Sequence, residues 1–153
     1  MSNITINSQY IKDLSFEVPS APQVFLRQLQ KPNIGINIDI DAKKIGQNNV
    51  FEVVLKIKAD AVSKASEEQE IKVFICEVAY AGIFTIDEKI QDQTEIEQML
   101  LIYCPNMLFP FIRKIVSNSV MDGGFAPLML EPINFSELYQ KRSAEKPENN
   151  SAN

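Results

Sequence analysis

The chain has 153 residues, 45% of them apolar, and carries a formal net charge of −5 with no histidine. That length suits one domain burying roughly two thirds of its unfolded surface, and the acidic balance disfavours nucleic acid and anionic membranes while favouring basic partners. The missing histidine excludes Ser-His-Asp and Cys-His arrangements and any His-containing metal site, two cysteines cannot build a structural zinc site, and the five glycines match neither phosphate-loop nor dinucleotide-loop spacing.

Met1–Gln9 is polar, lacks the basic and apolar regions of a signal peptide, and reads as a flexible lead-in, although Ile4 and Ile6 alternate. From Tyr10 a strand pattern sets Tyr10, Leu14, Phe16 and Val18 against Asp13, Ser15 and Glu17, and Pro19 and Pro22 end it. Residues 19–32 form a loop with an apolar centre at Val24–Leu29. A second strand points Ile34, Ile36, Ile38 and Ile40 inward and Asn37, Asp39 and Asp41 outward. After the turn at Gly46–Asn49, a third strand has Phe51, Val53, Leu55, Ile57, Ala59 and Ala61 inward, so a hairpin is expected.

The fourth strand, from Glu70 to Ala81, is apolar on both faces. Phe74, Cys76, Val78 and Tyr80 lie on one side, with Ile75, Glu77 and Ala79 on the other. Gly82 is expected to release the chain from the ladder into irregular structure at Ile83–Ile86. The outward positions Asp13, Glu17, Asp39, Asp41, Glu52 and Glu77 form an acidic sheet face. Ile75 sits among them with no solubility reason to be apolar. Such a face is either merely solvated or a docking surface for a basic partner.

Helical spacing over Glu95–Tyr103 is expected to break at Cys104-Pro105-Asn106 and resume from Leu108 to Val120, with Gly123-Gly124 as the stop. The apolar run Met99–Phe111 is interrupted by Pro105, Asn106 and Pro110 and is too short to span a bilayer. Asn134 and Glu137 form a capping box opening a last helix, Phe135 to about Arg142, before a tail expected to be disordered over 144–153. The loops carry more large apolar side chains than they need, so satellite packing, a subunit interface or an apolar groove must absorb them. The expected class is α+β: a four-stranded antiparallel meander sheet with a long helix and a shorter C-terminal helix packed on one side.

The stretches IKDLSFEVPSAPQVF, FEVVLKI, FICEVAYAGIFTI, YCPNMLFPFIR and EPINFSELY, in this order and spacing, resemble the SecB family of bacterial protein-export chaperones. The resemblance implies a domain over 10–143 assembled as a homotetramer, a dimer of dimers, in the cytoplasm, with no enzyme activity, no cofactor and no direct membrane insertion. It implies that unfolded precursor proteins are held and delivered to the SecA export motor. The motor-docking positions match Asp13, Glu17, Ile75 and Glu77, and the subunit-interface positions match Cys76, Val78 and Tyr80. The client groove, expected between a crossover after Gly82 and the final helix, has Phe84, Tyr103, Phe109, Leu128, Phe135 and Tyr139 as candidates. A partner-specific relative, such as a toxin–antitoxin helper of the same fold, is the alternative implied.

Overall fold

The computed structural model describes residues 3–145. Among them, β1 (Ile4–Glu17), β2 (Asn33–Lys44), β3 (Val50–Lys64) and β4 (Glu70–Ile86) form one antiparallel sheet in the order β1-β4-β3-β2. A continuous helix, Gln93–Asp122, and a final helix, Phe135–Glu145, follow. The α+β class agrees with the sequence reading, but the strand order is not a simple meander. β2, β3 and β4 are neighbours in sequence and space, whereas β1 pairs with β4. The chain therefore crosses the sheet between Val18 and Pro32. Alternation alone could not reveal this, because β1 offers the same pattern whichever strand it joins. Paired on both sides, β4 has the two apolar faces its sequence shows.

Three boundaries move. Ile4–Gln9 belong to β1 and are not a loose lead-in. Gly82 does not end β4, which runs on through Ile86. With no side chain at Gly82, the Phe84 ring lies flat over the backbone: a Cβ there would meet Phe84 at 2.6 Å and Leu108 at 3.2 Å. Last, the helix does not break at Cys104-Pro105-Asn106. A π turn over Met99–Tyr103 precedes Pro105, with the Cys104 N–H donating to the Met99 carbonyl, and absorbs the loss of a proline donor without a break. Joined up, this helix meets the length and composition of a bilayer span, which the interrupted run did not. Here it lies against the sheet instead.

The core lies between that helix and the sheet's inner face. Ile96, Leu100, Cys104, Leu108, Ile112, Val116 and Val120 are buried against Val53, Leu55 and Ile57 of β3 and Cys76, Val78 and Phe84 of β4. Asp92 starts the long helix, its carboxylate accepting from the Thr94 N–H at 3.0 Å. The stop at Gly123-Gly124 is as expected, Gly124 adopting φ 99°. Asn134 caps the final helix by accepting from the Glu137 N–H at 3.1 Å. That helix continues through Glu145, so Ala144 and Glu145 are helical. The remainder of the expected disordered tail lies outside the described residues.

Substituting Gly82→Ala should destabilise the protein by about 1–3 kcal/mol, since the Phe84 ring is fully buried and has no room to yield. Urea denaturation followed by circular dichroism checks this; a midpoint equal to that of the parent protein would contradict the packing described.

Candidate functional site: two surfaces of one sheet

The outer face of the sheet, away from the helices, is built from rows of paired residues. In the order β1-β4-β3-β2 they are Glu17–Ile75–Asp60–Gly35, Ser15–Glu77–Lys58–Asn37 and Asp13–Ala79–Lys56–Asp39. Asp13, Glu17, Ile75 and Glu77, singled out in the sequence, thus occupy three adjacent rows of one face. A shallow concavity of about 450 Å³ opens here, lined among others by Asp13, Asp39, Lys56, Lys58 and Glu77. Lys58 approaches Glu77 at 3.6 Å and Asp60 at 4.0 Å. Both pairs are largely solvated and contribute little to stability. Asp13 and Glu17 form no ion pair with any described residue.

One residue changes sides. The alternation put Tyr10 with Leu14 and Phe16, but β1 bulges between Ile11 and Asp13, and Lys12 is the extra residue. Tyr10 therefore shares the outer face with Asp13 and packs on Val54, Ala79 and Ala81. Because β4 offers only alanine methyl groups here, Tyr10 reaches across it and donates a hydrogen bond to Glu52 of β3. The Lys12 ammonium joins the other Glu52 oxygen at 2.8 Å. Glu52, 8% exposed, is one of two buried polar residues among those described. Lys12 first, then Tyr10, hold its carboxyl below the usual carboxylate range in spite of desolvation. Burial first, then Glu52, pushes the Tyr10 hydroxyl up to about 12.

Another bulge, at Val73, turns the start of β4 over. Ile71 then pairs with Ser63 on the helix side and is buried, while Lys72 points to solvent. The reverse orientation follows from strict alternation.

On the inner face, Cys76 and Val78 are sealed under the protein's own long helix, at 0% and 2% exposure. Burial pushes the Cys76 thiol up to about 11, Glu77 adding to it, and the Cys104 thiol up to about 12. Both thiols stay protonated at neutral pH and are inert as nucleophiles. Tyr80 is also buried, but its ring stacks at 5.8 Å on Phe111, which is exposed. Of these three residues, only Tyr80 has a route to the surface.

The six groove candidates do not come together. Phe84, Phe109 and Phe135 lie in the core; Phe109 and Phe135 meet edge to face at 6.2 Å. Aromatic side chains beside loops looked available in the sequence, but β4 continues beneath Phe84, and the final helix docks its first residue, Phe135, onto Phe109. Tyr103, exposed, borders a cleft of about 710 Å³ with Ile4, Ile6 and Met107, on the β1 side of the long helix. Tyr139 borders a different cleft with Ile38, Ile40 and Leu138. Leu128 is half-buried against the core.

An aromatic run that these candidates missed leads from the core, at the buried Phe74, to the surface at Phe25. Phe16 of β1 stacks on Phe74 of β4 at 5.5 Å. Phe74 meets Phe125, beyond the long helix, at 5.3 Å, and Phe125 stacks on Phe25 of the sheet-crossing segment at 5.3 Å. Phe25, Leu26 and Met129 are exposed, Leu26 by 82%. The glycine pair at the helix stop makes room: a Cβ on Gly123 would overlap the Phe16 ring, and one on Gly124 would touch Phe25 at 3.0 Å. The sequence signal for this run was the apolar surplus at Val24–Leu29 and Phe125–Leu130. Their meeting depends on where the chain crosses the sheet.

An open sheet with a charged outer face, and an aromatic run that surfaces at Phe25 where sheet, helix and crossing segment meet, suit an α+β polypeptide-binding protein. The family described as preprotein translocase subunit SecB matches residues 1–146. The protein-export protein SecB of Granulibacter bethesdensis is 43% identical over 145 residues, covering 94% of this chain and 84% of its own. That of Paramagnetospirillum magneticum is 43% identical over 146 residues, covering 95% and 88%. In fold, the chain is similar to a SecB-like chaperone of Mycobacterium tuberculosis solved in complex with a ChAD peptide from the HigA1 antitoxin. The TM-score is 0.68 at 16% identity, covering 86% of this chain and 91% of that one. The chain belongs to the SecB family.

The lowered Glu52 carboxyl fixes a pH dependence. A carboxyl whose folded pKa lies below its unfolded value of about 4.3 stabilises the fold above that value, and the contribution is lost as pH falls through the folded pKa. Glu52→Gln should therefore be about 1–3 kcal/mol less stable than the parent at pH 7, and the gap should close in acid. Denaturant midpoints measured down a pH series would show the two curves converging.

Proposed function

We propose that this protein is a holdase of the export pathway, keeping precursor proteins unfolded in the cytoplasm and delivering them to the SecA motor. The observation that carries this reading is the exposed apolar patch of Phe25, Leu26 and Met129, anchored to the core through the half-buried Phe125 and Phe16 and the buried Phe74, on a chain of the SecB family. Stacked rings with Leu26 and Met129 beside them offer apolar area without hydrogen bonds that demand a sequence. Fully covering one such side chain contributes about 1.5–3 kcal/mol, so a single contact is weak and several give avidity. A folded protein buries its own apolar segments and leaves.

Client binding in this reading centres on Phe25, Leu26, Phe125 and Met129, with Leu128, Tyr103 and Tyr139 bordering further contacts. Asp13, Glu17, Ile75 and Glu77 form the motor-docking face. Its charge suits a basic partner, and its exposure makes the encounter sensitive to salt. Homotetramer formation is supported by the apolar strip left open beside the long helix: Ile6, Ile11 and Leu14 on β1, with Tyr103 and Phe111 on the helix. Tyr80, stacked beneath Phe111, would feel that interface through the ring above it. The work so described needs no catalytic group and no cofactor.

Removing Phe25 and Phe125 as alanines should weaken binding of a reduced, unfolded client about tenfold or more, from the apolar area lost. Reversing charge with Asp13→Lys and Glu77→Lys should abolish SecA binding and spare the client. Calorimetric titration with each partner measures both. Equal loss of client and motor in either variant would overturn the division into two surfaces.

A further inference from the structure

Glu52 is the one charged residue among those described that is buried, on a face whose other buried residues are Val54, Ala79 and Ala81. It is 8% exposed, carries charge, and is met by two groups from β1 although β1 is not its neighbour. The Tyr10 hydroxyl and the Lys12 ammonium both cross β4 to reach it. Such a buried ion with two charge-assisted hydrogen bonds, one of them from a tyrosine packed on Val54, Ala79 and Ala81, tolerates little movement of its partners. Lys12 occupies the bulge that precedes Asp13, and Tyr10 is turned to the outer face by it.

We propose that Glu52 is a positioning residue of the acidic docking face: it pins the β1 bulge and holds the Lys12 ammonium away from Asp13. This rests on the docking reading given above. The electrostatic logic is local. Lys12 and Asp13 are adjacent in the chain, and both border the outer concavity. With Glu52 ionised, Lys12 is spoken for, and Asp13 keeps an unneutralised charge for a basic partner. With Glu52 neutral, the carboxylates that share a concavity with Lys12 are those of Asp13, Asp39 and Glu77. The face then loses attraction although no docking residue has changed. Lys58, already beside Glu77 and Asp60, cannot replace Lys12 in this role.

Glu52→Gln preserves the size of the side chain and an acceptor for Tyr10. It should weaken SecA binding about tenfold while leaving the affinity for a reduced, unfolded client unchanged. Adding Lys12→Gln to that variant removes the freed cation and should restore most of the motor affinity, a rescue that a merely structural role would not give. Unchanged SecA binding in Glu52→Gln, or no rescue by Lys12→Gln, would each overturn the proposal. Asp13→Lys separates the two levels. If it abolishes SecA binding while Glu52→Gln does not weaken it, positioning alone fails; if Asp13→Lys also binds SecA normally, the docking reading fails and this inference with it.

Discussion

Everything in this molecule follows from β4 being paired on both sides. A strand in that position has no free edge, with one face covered by the long helix and the other turned outward, so each of its side chains must suit one of two environments. Its even-numbered residues from Phe74 to Ile86 meet the long helix or the aromatic run, and its odd-numbered residues from Ile75 to Ile83 meet the outer surface. The same layer therefore seals a core on one side and displays a docking face on the other. Small residues on β4 mediate between these roles. Ala79 and Ala81 let β1 side chains reach β3 across the outer face, and Gly82 lets a phenylalanine fold flat against the inner one.

Three bulges reconcile this layer with the sequence, the first of them at Asn7, between Ile6 and Ser8, returning Ile4 and Ile6 to the helix side. Strict alternation would send Tyr10 into the core and Lys72 under the helix. Inserting one residue at Lys12, and another at Val73, reverses the sense of the strand at each place. The cost is a disturbed ladder, and at the Lys12 bulge the Tyr10–Glu52–Lys12 group compensates by giving the displaced residues partners of their own. Local irregularity and buried charge occur together because each makes the other tolerable.

Much was legible along the chain. The alternating isoleucines of β2, the hairpin into β3, the two-faced β4, the Asn134 cap and the glycine stop all follow from rules acting over a few residues. So does the membership of Asp13, Glu17, Ile75 and Glu77 in one face, since none of them lies within a bulge. The groove candidates fared differently. Phe84 and Phe135 are as apolar as Phe25 and Phe125, and composition cannot say which pair is sealed and which is open.

The sequence by itself determined the α+β class, the facing of most strand residues and the family, because periodicity, capping and turn chemistry are local and motifs are read in order. Only the tertiary structure decided that β1 joins β4, that Pro105 leaves the long helix whole, that Tyr10 faces outward, and that four phenylalanines from distant segments meet in a run from the core to the surface. The physical reason is that pairing register, the covering of a helix by a sheet and the meeting of loops are set by contacts between segments far apart in the chain, to which local bulges and the π turn then adjust.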